Sequence, residues 1–69
     1  MIWHDVKNDQ PRCDIEFLVW IDGHRNPSWK NNYALVAYLS SFDNLWYEER
    51  HPNEPLQGVV GWAEIEEYS

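Results

Sequence analysis

Residues 32–50 read "NYALVAYLSSFDNLWYEER", and their alternation decides the fold. Tyr33, Leu35, Ala37 and Leu39 share one parity; Ala34, Val36 and Tyr38 share the other. Apolar groups repeating every second residue mark a strand. "SFDN" at 41–44 has the composition of a tight turn, and "LWYEER" at 45–50 returns as a second strand. The two predict a β-hairpin. A short helix over 43–50 with Asp43 as its N-cap is the competing reading. Leu45, Trp46 and Tyr47 side by side suit a two-faced strand better.

The pattern extends outward in both directions. "CDIEFLVWID" at 13–22 is a strand closed by a turn at Asp22-Gly23. Ile15, Phe17, Val19 and Ile21 point one way; Glu16, Leu18 and Trp20 point the other. Both faces carry apolar groups, so this strand needs cover on two sides, or on one side plus a dimer contact. "GHRNPSWKNN" at 23–32 and "HPNEPLQG" at 51–58 are loops, broken by prolines, asparagines and glycine. "VVGWAEI" at 59–65 is the last strand. No repeat, low-complexity tract or linker interrupts the chain. The expectation is one domain over residues 1–69: mainly β (or α+β), a single antiparallel sheet of about four strands with at most one short helix.

A chain of this length buries only about 60% of the surface its unfolded form exposes. Five Trp, four Tyr and two Phe offer compensation, because each ring buries roughly 150–250 Å². Five or six inward-facing rings could replace the missing bulk. Cys13 is the single cysteine, which excludes an internal disulfide. The opening "MIWHDVKNDQ" has no apolar signal-peptide core, and no run approaches the ~18 apolar residues of a membrane span. The reading is a protein of the cytoplasm with no membrane partner.

Twelve acids against five bases give a net charge of −7. Lys7, Arg12, Arg25, Lys30 and Arg50 are scattered singly, so there is no basic stripe to neutralise phosphates. Direct binding to nucleic acid is disfavoured and a basic protein partner is favoured.

Several motifs together resemble a known family. "WHDVKNDQP" at 3–11 has a Trp, a Val three residues on and a Pro five further; "EFLVWIDG", "ALVAYLSSFDNLWYEE" and "GVVGWAEIEEY" follow in order. This order resembles the small phage and prophage proteins of the domain of unknown function 551 family, from Trp3 to Tyr68. In that family the closing segment carries prolines, where this chain has the glutamates of "WAEIEEYS". The resemblance implies a phage or mobile-element source and a small β-rich fold. It implies no catalytic residues and no cofactor.

Chemistry-bearing constellations are sparse. Cys13 with His4, His24 or His51 lies in no nucleophile motif. His4-Asp5 with Asp9, or His24 with Asp22, lack metal-ligand spacing. Glu48-Glu49 and Glu66-Glu67 are sequence neighbours that alternate across a strand rather than flank a cleft. "GVVG" is not a phosphate loop, and "NPS" at 26–28 is not a glycosylation acceptor. Trp29-Lys30 and Trp46-Tyr47 could stack bases, but only against net repulsion. The expectation is no enzyme, no metal and no cofactor.

The acids are skewed. From Glu48 onward lie six acids and one base, −5; the first 47 residues carry −2. Charged edges prevent sheet-to-sheet pairing. The sharper reading is phosphate mimicry by an anti-defence inhibitor, anti-CRISPR-like, that binds a basic nucleic-acid groove in a host protein. One strand face offers a charge per ~6.6 Å, against ~1.7 Å in duplex DNA. Mimicry therefore requires Glu48, Glu49 and Glu54 to pool with Glu64, Glu66 and Glu67, which holds if the third and last strands are neighbours. Trp29 and Tyr68 would anchor the rim. The alternative is a small assembly module that forms a homodimer through its two-faced sheet.

Overall fold

The computed structural model describes residues 1–24 and 31–66. The chain forms a single antiparallel sheet, with no helix among the described residues. Its strands are β1 (His4–Asp5), β2 (Glu16–Ile21), β3 (Tyr33–Leu39), β4 (Trp46–Tyr47) and β5 (Val59–Ala63), in spatial order β1-β5-β2-β3-β4. The hairpin reading of 32–50 holds: β3 and β4 pair through Tyr38↔Tyr47 and Leu39↔Trp46. Its turn is tightly built. Ser40 N donates to the Leu45 carbonyl at 2.8 Å, Leu45 N donates to Asp43 Oδ1 at 3.0 Å, and Asn44 takes the left-handed φ of 61° that Asn tolerates.

The expected four strands become five. The extra strand is the two-residue β1, too short to leave an alternation in the sequence. It exists because the edge of β5 is open to it: His4↔Trp62 and Asp5↔Gly61 pair there. β5 itself fills the slot beside β2, with Leu18↔Ala63, Val19↔Trp62, Trp20↔Gly61 and then Ile21↔Val59, a bulge that leaves Val60 over.

Parity along β2 and β3 assigns the two faces as the sequence reading expected. Phe17, Val19, Ile21, Ala37 and Leu39 are buried together with Trp46 and Trp62. Loops rather than a second sheet close this side. Val6, Cys13 and Leu56 pack onto the core, and backbone bonds pin those loops: Asp14 N to the Leu39 carbonyl at 2.8 Å and Leu56 N to the Trp46 carbonyl at 2.7 Å. Val19, Ile21 and Leu39 are 1% exposed or less, so each contributes about 1.5–3 kcal/mol of burial.

Among the described residues the rings divide between the two faces, with Tyr33 half-buried on the inward parity of β3. Phe17, Trp46 and Trp62 are buried, whereas Trp3, Trp20 and Phe42 are 43%, 38% and 96% exposed. Small residues such as Ala37 fill the space between the buried rings.

Candidate functional site

The opposite face of the sheet is largely apolar and partly exposed; Gly61 and Ala63 on it are buried beside Trp20 and Leu18. Registration sets its rows: Glu16↔Tyr38, Leu18↔Val36 and Trp20↔Ala34 across β2 and β3. Tyr47 stacks on Tyr38 at 6.1 Å between centroids. Trp20 is flanked on its other side by Gly61, which is flanked in turn by Asp5. Trp20 and Val36 are about two-fifths exposed, 38% and 42%, and Leu18 is half-buried.

Two hollows lie at the ends of this face. The larger, ≈ 490 Å³, is lined by Trp3, His4, Asp5, Trp20, Val60 and Gly61. Its floor is Gly61, where a Cβ would stand 3.2 Å from the His4 carbonyl and 3.7 Å from Trp3 Cε3. A side chain there would fill the hollow, so the glycine keeps it open. The rings of Trp3 and Trp20 meet at 74° with centroids 6.0 Å apart. Asp5 accepts the Lys7 N–H through Oδ1 at 2.8 Å, which fixes its carboxylate.

The second hollow, ≈ 270 Å³, is lined by Asp14, Glu16, Tyr38 and Glu49. Asp14 receives the Ser41 hydroxyl at 2.6 Å and the Ser41 N–H at 3.1 Å. These two bonds, the hydroxyl first, hold its carboxyl below the usual carboxylate range. Tyr47 donates to Asp43, and that bond raises the phenol above its ordinary value.

The acids singled out in the sequence are split. β4 lies at one edge of the sheet and β5 beside the other edge, with β2 and β3 between them. Three strand spacings, about 14 Å, separate the two, so the third and last strands are not neighbours. The condition set for one pooled acidic surface is not met. Glu49 joins Asp14 and Glu16 instead. Glu48 is half-buried, 3.3 Å from His51 Nε2, and acts with burial to raise the Tyr33 phenol, burial being the larger cause. Glu54 is exposed in the loop before β5. Glu64 and Glu66 border a hollow of ≈ 210 Å³ with Ile2 and His4, and Glu66 sits 3.6 Å from the N-terminal ammonium. β5 ends at Ala63, so the strand-face spacing does not apply to these two. Trp29, Glu67 and Tyr68 lie outside the described residues.

Trp3, Asp5, Val36 and Gly61 were not expected at a binding surface. The signal that pointed towards them was the apolar second face of residues 13–22, which called for a cover. Among the described residues, no cluster of three or more His, Cys, Asp or Glu is arranged to hold a metal, and no helix is long and apolar enough to cross a membrane.

The fold defines a class: a small mainly-β protein built on a single antiparallel sheet of five strands. No family model, curated protein or solved structure matches the chain.

Proposed function

We propose that the chain is a non-enzymatic binding module that docks a basic protein on the open face of its sheet. One observation carries this: Trp3, Trp20 and Val36, about two-fifths exposed, gather with the half-buried Leu18 on one face of the sheet. A monomer gains nothing by leaving two indoles and a valine in water, and such patches mark interaction sites. The occupant's chemistry follows from charge. Among the described residues, Asp5, Asp14, Glu16 and Glu49 border the patch, with His4 and Tyr38, and the net charge is −7. Lysines and arginines ringing an apolar centre complement this surface. A second copy would oppose like charges across the contact, which costs affinity. The resemblance to phage proteins makes a host-defence protein with a basic groove the proposed target, occupied by an apolar contact with an acidic rim rather than by a continuous row of phosphate mimics.

The test is a titration with a cationic amphipathic peptide of leucine and lysine, followed by amide chemical shifts at low and high salt. The expected shifts fall on Leu18, Trp20, Val36 and Tyr38, fade with salt, and are lost in Val36→Lys. Shifts concentrated on Glu64 and Glu66 instead, or a dimer in sedimentation whose contact covers Val36, would overturn the reading.

A further inference from the structure

The hollow at Trp3, Asp5, Trp20 and Gly61 has the parts of a site for an organic cation. Two indoles stand at 74°, their centroids 6.0 Å apart, and both line one hollow. A cation seated in the hollow against an indole face would lie within the roughly 6 Å reach of a cation–π contact. Tryptophan is the strongest of the aromatic partners in such contacts.

The register explains how the corner is built. Asp5, Gly61 and Trp20 form one row across β1, β5 and β2. The missing side chain at the middle position leaves a gap between a carboxylate and an indole. Trp3 Cε3 lies 3.7 Å from where a Cβ on Gly61 would be, so Trp3 borders the same gap. Among the described residues, no lysine or arginine side chain is ion-paired with Asp5, whose recorded bond is to the Lys7 backbone. Two indoles meeting edge to face and an aspartate around one hollow match an alkylammonium or guanidinium group better than a neutral apolar one.

We propose that this corner binds an organic cation, supplied by a lysine, methylated lysine or arginine side chain of the docked partner. The proposal rests on the docking reading above but is tested separately from it, with free cations.

The experiment titrates the full chain with choline and, in parallel, with its neutral isostere 3,3-dimethylbutan-1-ol, and follows the indole N–H resonances. Trp3→Leu and Trp20→Leu assign those resonances, and circular dichroism checks that each variant folds. Choline is expected to move the Trp3 and Trp20 signals saturably, and the isostere is not. Asp5→Asn keeps the oxygen that accepts the Lys7 N–H and removes only the charge, so choline affinity should fall by about fivefold. Amides of lysine, trimethyl-lysine and arginine form the second arm. Tighter binding of any of these than of choline supports a partner side chain as the source, and tighter binding of choline points to a free small cation and overturns that part. Equal shifts with the neutral isostere, or unchanged affinity in Asp5→Asn, would overturn the cation site itself. If the cation arm fails while Val36→Lys still abolishes peptide binding, the docking face stands and this corner is only part of its apolar centre.

Discussion

The indole Nε1 of Trp62 donates to the backbone carbonyl of Asp9 at 2.6 Å, across 53 positions of sequence. The same ring stacks on His4 at 4.2 Å and meets Phe17 edge-on at 5.0 Å. One side chain thus ties the N-terminal loop to the covered face of the sheet. Trp62→Phe keeps an aromatic ring but removes the donor and part of the buried area. Stability should fall by about 1–2 kcal/mol, read from urea unfolding. A loss below ~0.5 kcal/mol would mean that the loop is held by other contacts.

Gly23 is buried, and a Cβ there would lie 2.8 Å from the backbone carbon and oxygen of Asn31. Backbone atoms cannot rotate aside. Gly23→Ala should cost about 1–3 kcal/mol, enough to lower the melting temperature by several degrees in a domain of this size. An unchanged melting curve would show that this approach relaxes freely.

The depressed pKa of Asp14 predicts acid sensitivity. Its ionised form is favoured in the folded chain by the Ser41 hydroxyl and then the Ser41 N–H. That contribution is complete above the unfolded carboxylate's pKa and is lost as pH falls through the lower folded value. Asp14 sits at φ 64°, which Asn also tolerates. Asp14→Asn should be less stable than the parent at neutral pH, and the gap should close in strong acid. A gap that stays constant down to the acid limit in pH-dependent melting would contradict the linkage.

Phe42 is 96% exposed at the tip of the β3–β4 turn. Phe42→Ser should leave stability within ~0.5 kcal/mol, because the turn is held by Ser40, Asp43 and Asn44 instead. A larger loss in thermal melts would mean that the ring packs in solution.

Glu64→Gln with Glu66→Gln separates the two acidic groups. With β2 and β3 between β4 and β5, neutralising this pair should change binding of the leucine–lysine peptide by no more than about twofold, whereas Glu16→Gln with Glu49→Gln should weaken it by about fivefold, consistent with close charge pairs worth up to ~1 kcal/mol at a surface. Calorimetric titration reads both.

The alternation of residues 15–21 and 33–39 was enough to say which side chains share a face, because successive side chains of a strand point opposite ways whatever the strand pairs with. The hairpin at 32–50 was equally legible, since a four-residue turn brings its strands together locally. Trp20 and Leu18 were visible as apolar groups needing a cover. Trp3, Asp5 and Gly61 were not, because what unites them is a row across three strands drawn from distant parts of the chain.

Strand identity and inward parity are thus properties of short stretches, set by backbone geometry and side-chain type. The position of β5 between β1 and β2 belongs to a different order of cause. It is chosen by the burial of Trp62 and Val59 against Val19 and Ile21, a long-range choice that leaves no local mark. That placement divides the carboxylates and sets a glycine between an aspartate and an indole.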